Sequence, residues 1–170
     1  HSVGLGYDPR KELTFLMSDY LIRSAEQRDV LDIVISVKQF CKEVPHAAWG
    51  KFDSTKVQEL VSNLIDNEAG FVHVVTHEEE IVGAMIACVT PLPINSFVFA
   101  QELMFWLDPS HRNGRTAPKL IDSYVAWAEK AGCDFIRLST LDHLLDSRAG
   151  VLFKRKGFTP VETAYIKEVK

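Results

Sequence analysis

The chain has 170 residues, a length that suits one domain around one core. Hydrophobic residues make up 46% and charged residues 25%, the balance of a globular protein in water, and a net charge of -4 offers no general attraction to nucleic acid or anionic membrane. No apolar run reaches the roughly 18 residues needed to span a bilayer, and the first residues lack a signal-peptide pattern. Residues 1–17 are mixed and Gly-containing and read as an extension before a single domain over 18–170. Tyr20 to Arg23 then reads as a short strand, and Ser24 with Gln27 matches a capping box at a helix start. Val30, Val34, Val37 and Cys41 follow at helical spacing. After a loop with Pro45 and Gly50, Asp53 or Ser54 caps a second helix with an apolar stripe at Val57, Leu60, Val61, Leu64 and Ile65, which Gly70 ends.

Strand patterns come next. Phe71 to Thr76 and Ile81 to Val89 flank a polar turn, and Pro91 and Pro93 break the second run. Val98 to Leu107 is a third strand, apolar except at Gln101 and Glu102, and Asp108-Pro109 stops it. An amphipathic helix carries Ala117, Leu120, Ile121, Tyr124, Val125 and Ala128 on one face and ends at Gly132. Phe135 to Leu138 reads as a strand, Asp146 to Lys156 as a helix, and Phe158 to Val169 as one or two final strands. The order β-α-α-β-β-β-α-β-α-β predicts a mixed α/β fold of the α+β kind, with one central mixed sheet and helices on both faces.

The stretch richest in chemistry is the loop between the third strand and the amphipathic helix. A helix start presents unpaired amides and a positive dipole end, a natural seat for a pyrophosphate. Gly114 allows close approach of backbone to ligand, Arg112 and Arg115 supply charge-assisted donors, and Thr116 caps or donates. Pro118 in the first turn has no amide to leave unsatisfied. The loop has neither the Gly-Lys-Ser/Thr of a P-loop nor the Gly-x-Gly-x-x-Gly of a dinucleotide site. On these residues alone, a phosphate cradle and an ordinary surface loop both stand.

The flanking sequence carries a resemblance. Phe105-Trp106-Leu107-Asp108-Pro109-Ser110-His111-Arg112 followed by Arg112-Asn113-Gly114-Arg115-Thr116-Ala117 resembles the strand and Gln/Arg-x-x-Gly-x-Gly/Ala loop of the GNAT N-acetyltransferases. Asp146 to Phe158 resembles that family's second motif, with an Asn, an Ala, an aromatic pair and a closing Gly-Phe. The resemblance covers about Tyr20 to the C-terminus. It implies a split sheet that holds acetyl-CoA, with backbone at Phe105 and Leu107 pairing the pantetheine arm and Arg112 to Ala117 holding the pyrophosphate. Trp106, Asp146 and Phe153 would border the same cofactor. The implied activity is transfer of an acetyl group from acetyl-CoA to a primary amine of a small molecule or protein. The contrasting reading is a non-catalytic acyl-CoA sensor or partner-inhibiting module.

Three positions depart from the family pattern. Arg115 replaces a Gly, Asp146 replaces an Asn, and Phe153 stands where many members carry a Tyr that protonates the leaving thiolate. A lysine-like amine with a pKa near 10.4 costs roughly 4 to 5 kcal/mol to deprotonate at neutral pH, so a base matters. A thiol with a pKa of roughly 8.5 leaves without a strong acid, and losing the Tyr slows the step by at most ~10²–10⁴-fold. Glu102, acidic in an apolar strand, is the candidate base, with a solvent-facing or Arg-paired carboxylate as the alternative. The family also uses the amide near Leu107 for the oxyanion. Ser147 and Tyr165 are the candidate replacements for the missing acid.

Other candidates carry less. His73 and His77 read as solvated rather than metal-binding, and no metal is expected. Asp142-His143 with Ser139 or Ser147 lacks a nucleophile elbow. Lys154-Arg155-Lys156 suits either a nucleotide phosphate or a solvated helix end, and Trp49, Phe52, Phe97 and Phe99 divide between core and acceptor pocket. Cys41, Cys88 and Cys133 are too scattered for a disulfide framework or zinc knuckle and suit a reducing, cytoplasmic setting. The apolar segment Val151 to Tyr165 would permit a homodimer.

Overall fold

A computed structural model describes residues 20–43, 50–140, 147–165, 167 and 169. The strands are Tyr20–Ser24 (β1), Gly70–His77 (β2), Glu80–Pro91 (β3), Val98–Leu107 (β4) and Phe135–Arg137 (β5). The helices are Val30–Glu43 (α1), Ser54–Ile65 (α2), Thr116–Lys130 (α3) and Arg148–Arg155 (α4). The strands form one five-stranded mixed sheet in the order β1-β2-β3-β4-β5. Consecutive neighbours from β1 to β4 are antiparallel, while β4 and β5 are parallel and joined through α3. The expected boundary at residue 18 and the loop with Pro45 lie outside the described residues.

Alternation along the strands sends side chains to two cores. On one face, Ile33 of α1 and Val61 of α2 pack with Val72, Val74, Ala84, Ile86, Met104 and Trp106. On the other, Leu120, Ile121 and Tyr124 of α3 and Phe153 of α4 pack with Phe71, Met85 and Leu107. Each fully buried side chain of this size contributes about 1.5–3 kcal/mol. Alternation fails twice, at Val82 in β3 and again in β4, and the second break shapes the site. Ile86 faces Met104, but Ala87 faces Glu102, so Leu103 is an extra residue in β4. This bulge puts Ala100 and Glu102 on the α3 face and Met104 and Trp106 on the α1 face.

Several expectations need correcting. The first helix does not start from a Ser24–Gln27 box. Gln27–Asp29 forms a single 3-10 turn, and Asp29 Oδ2 accepts from the Glu26 amide at 2.8 Å. The second cap holds, because Asp53 Oδ1 accepts from the amides of Thr55 and Lys56, both at 3.1 Å. Gly70 does not end α2, which stops at Ile65; it opens β2 against the Leu64 backbone. Leu60, assigned to the apolar stripe, is exposed.

The final strand is the largest difference. Residues 158–165 form no strand. Val161, Thr163 and Tyr165 alternate like a strand, yet all three are exposed. The β5 edge offers only a three-residue strand to pair with, and Pro160 has no amide to donate. The tail meets β5 through the Arg137–Glu162 ion pair at 2.5 Å.

Candidate active site

The site begins where strand pairing stops. β4 and β5 pair only from Phe99 to Gln101 against Phe135 to Arg137. From Glu102 to Leu107, β4 continues without a strand on that side among the described residues. The Asp108 amide donates to the Val82 carbonyl at 2.8 Å, which fixes the phase of the β3–β4 ladder. Phe105 and Leu107, opposite Met85 and Gly83, are then non-hydrogen-bonded positions. Their N–H and C=O groups point away from β3, toward the opening. Gly83 makes this close pairing possible. A Cβ there would meet Leu107 Cδ2 and lie 2.8 Å from the Trp106 carbonyl oxygen.

The opening is a cleft of about 1190 Å³. Of the residues singled out in the sequence, Glu102, Phe105, Trp106, Leu107, Arg112, Gly114, Ala117, Ser147 and Phe153 line it. Asn113, Arg115 and Thr116 belong to the loop but do not line the cleft. Tyr165 is 94% exposed and does not line it either. Asp146, Trp49, Asp142 and His143 lie outside the described residues.

Asn113 explains why its neighbours are elsewhere. Its Oδ1 accepts from the amides of Arg115 at 2.9 Å and Thr116 at 3.0 Å, and its Nδ2 donates to Thr116 Oγ1 at 2.9 Å. The helix cap expected of Thr116 is thus supplied by Asn113, and Thr116 is buried beneath it. The turn depends on Gly114, whose φ is +75. Two amides expected to face an anion are committed to the loop itself. Arg112, Gly114 and Ala117 carry the loop's share of the cleft wall.

Arg112 is also held. Its Nε donates to the Leu107 carbonyl at 2.9 Å, and its Nη2 donates to Glu43 Oε2 at 2.7 Å. The other oxygen of Glu43 accepts from the Trp106 indole at 2.7 Å. One carboxylate at the end of α1 therefore joins the Arg112 loop to the end of β4.

Glu102 is 8% exposed and faces the cleft from β4. Its Oε2 accepts one hydrogen bond, from the Ser139 amide at 3.1 Å. Burial pushes its pKa up to about 7, and the Ser139 bond offsets only part of that. Neither alternative, an Arg-paired or a solvent-facing carboxylate, describes it. Nearby Tyr124 donates to the Arg137 carbonyl at 3.1 Å, and burial followed by the Glu102 charge raises its pKa.

On the far wall, Ser147 Oγ accepts from the Gly150 amide at 3.0 Å and caps α4, leaving its proton free to donate. Phe153 is buried, and its ring stacks toward Phe105 with centroids 6.4 Å apart. Arg148, Leu152 and Arg155 of α4 also line the cleft. Their i, i+4, i+7 spacing was a readable helical stripe. Glu43 gave no such signal, since it stands 69 residues from Arg112.

His73 and His77 are half-buried rather than fully solvated. His73 stacks on Phe71 at 4.1 Å and His77 on Tyr20 at 4.5 Å, and the Nδ1 atom of each is buried without a partner. Burial lowers the pKa of His73. Phe97, Phe99 and Phe135 pack on one another away from the cleft wall, while Phe52 joins the α1–α2 core. Among the described residues, no cluster of His, Cys, Asp and Glu is arranged to hold a metal ion, and no helix is long and apolar enough to cross a membrane.

Solved structures share this architecture. The ribosomal-protein-alanine N-acetyltransferase of Brucella melitensis biovar Abortus 2308 is 17% identical, with a TM-score of 0.65 over 88% of this chain and 99% of that one. A predicted acetyltransferase with acetyl-CoA from Clostridium acetobutylicum is 15% identical, with a TM-score of 0.70 over 88% and 96%. Glucosamine-6-phosphate N-acetyltransferase from Arabidopsis thaliana is 13% identical, with a TM-score of 0.68 over 89% and 99%. At these identities the likeness is one of fold. No curated protein matches the chain by sequence. Residues 38–158 match the model of the acetyltransferase (GNAT) family, and with most of its length inside that match the chain belongs to this family.

Proposed function

We propose that the chain transfers an acetyl group from acetyl-CoA to the nitrogen of an amine, on a small molecule or a protein. The observation that carries this reading is the position of Glu102. A buried carboxyl with a pKa of about 7 borders a cleft lined by the part of β4 that β5 does not pair. A group with that pKa is half ionised at neutral pH and suits the removal of a proton from an ammonium.

The cofactor supplies an activated thioester. The residues present fit its chemistry. The outward backbone of Phe105 and Leu107 matches an amide-bearing chain added like a strand. Arg112, Arg148 and Arg155 give the cleft guanidinium groups suited to phosphate oxygens. Asn113, Arg115 and Thr116 contribute by shaping the turn at Gly114.

Glu102 takes a proton from the ammonium, directly or through a water. The freed nitrogen lone pair attacks the thioester carbon, and the Leu107 amide is the donor for the oxygen that gains charge. The nitrogen then gives up its second proton, the carbon–sulfur bond breaks and the sulfur leaves as thiolate, which takes up that proton. Ser147 is the hydroxyl on the cleft wall able to return a proton, because Phe153 has none to give. A binding module without turnover is favoured by one observation, the phenyl ring of Phe153. The three unpaired cysteines support a reducing compartment such as the cytoplasm.

Calorimetric titration with acetyl-CoA, CoA and ATP tests the cofactor assignment. Binding of both CoA species with little ATP binding supports it and warrants a screen of amine acceptors. Folded protein that binds neither CoA species overturns it.

A further inference from the structure

The cleft holds one arginine with two claims on it. Arg112 stands in the loop that the proposed function assigns to the cofactor's phosphates, yet its Nη2 is bonded to Glu43 Oε2 at 2.7 Å. Glu43 is not a casual surface partner. It also accepts the Trp106 indole proton at 2.7 Å, and it lines the same cleft as Arg112, Trp106 and Leu107. The Nε bond to the Leu107 carbonyl holds the guanidinium from the other side. Asp108 also lies in the field of Arg112, but its Oδ1 is committed to the Ser110 amide and hydroxyl.

A carboxylate and a phosphate ask for the same donors. While Glu43 neutralises Arg112, the loop presents less positive charge to an incoming anion. We propose that Glu43 is a positioning residue that competes with the cofactor's phosphates for Arg112. When those phosphates take the arginine, Glu43 keeps only its bond from Trp106, and the end of α1 is less firmly tied to the loop. The inference rests on the acetyl-CoA reading above and adds an internal competitor to it.

The experiment is calorimetric titration with CoA at low and high salt. It uses the wild-type chain and the Glu43→Gln, Arg112→Gln and doubly substituted variants, each checked for folding by circular dichroism. Gln at 43 keeps an oxygen for the Trp106 indole and loses the charge. Both partners are half-exposed, so Glu43→Gln should tighten CoA binding about two- to five-fold. It should also steepen the salt dependence, because an uncompensated guanidinium is more exposed to screening. In the Arg112→Gln background, the Glu43 substitution should change neither quantity. A purely structural role for Glu43 predicts weaker or unchanged binding with the wild-type salt slope, and either result overturns the inference. Equal tightening without Arg112 also overturns it, since the effect would then be general repulsion. Wild-type protein that binds no CoA removes the acetyl-CoA reading together with this one. Wild-type binding that Glu43→Gln leaves untouched removes the competitor alone.

Discussion

Two acidic side chains expose similarly little surface and titrate in opposite directions. Asp29, 6% exposed, lies at the corner between β1 and α1, and Glu102, 8% exposed, lies in the cleft. Arg23 grips both oxygens of Asp29, at 2.6 and 2.9 Å, and the Glu26 amide adds a third bond at 2.8 Å. Those bonds, the Arg23 one foremost, outweigh burial and hold the Asp29 pKa below the usual carboxylate value. Glu102 has one neutral donor, the Ser139 amide, and burial wins. Little exposed surface alone therefore says little about an acid. Asp29 lies shallow with a charged donor and Glu102 lies deep with a neutral one, and depth and donors together set the direction of each shift.

The largest expected effect comes from removing the charge at the cleft. Glu102→Gln should lower turnover by about 10²–10⁴-fold while leaving CoA affinity unchanged. Steady-state kinetics beside a CoA titration measures both. Full turnover with CoA bound would mean that another group is the base. In the active protein, kcat/KM should rise with pH through about 7, as Glu102 ionises.

At Asp29 the matching change is Arg23→Met, which leaves the carboxylate with the Glu26 amide and the charge of Arg28. It should cost roughly 2–4 kcal/mol at neutral pH, read by denaturant unfolding. It should also move the Asp29 pKa upward, because the largest cause that lowers it is gone. A cost below 1 kcal/mol would show that the corner does not depend on the pair.

Stability against pH separates the two groups without relying on activity. Asp29 has a lowered folded pKa, so its contribution is present above the ordinary 3.8 and is lost as pH falls through the folded value. Glu102 has a raised folded pKa, so the folded state holds its proton longer than the unfolded chain does. Its burial therefore costs nothing below the ordinary 4.5, costs more as pH rises, and levels off above about 7. The full cost is about 3 kcal/mol. Glu102→Gln should accordingly stabilise the protein at pH 8 and leave it unchanged at pH 4. Thermal melts at both values check this, and equal shifts at both would contradict the burial assignment.

What the sequence revealed follows the same division between local and distant causes. The limits of β4, Val98 to Leu107, were legible because apolar residues end abruptly at Asp108-Pro109. The cleft side chains at Arg112, Gly114 and Phe153 were legible because their motifs are contiguous. Glu102 stood out as an acid in an apolar run, but its titration was not readable, since the Ser139 amide lies 37 residues away. The bulge at Leu103 left no mark, because Gln101 to Met104 reads the same with or without it. The Arg23–Asp29 pair was hidden by a better-looking capping box at Ser24. The tail misled by alternation at Val161, Thr163 and Tyr165, a pattern that specifies a strand only when a long edge is there to receive it.

The smallest and most pointed change concerns the one donor that Glu102 has. Ser139 follows β5 in a segment without regular structure, so a proline there removes an amide without breaking a strand. Its hydroxyl is not what Glu102 uses; the bond comes from the backbone. Ser139→Pro should therefore move the pH midpoint of kcat/KM upward, because that amide lowers the pKa of Glu102. Ser139→Ala, which keeps the amide, should leave the midpoint in place. If both variants shift it equally, the side chain matters and the backbone assignment is wrong. If the proline alone shifts it, a single hydrogen bond sets where between Asp29-like and fully unpaired behaviour this acid works.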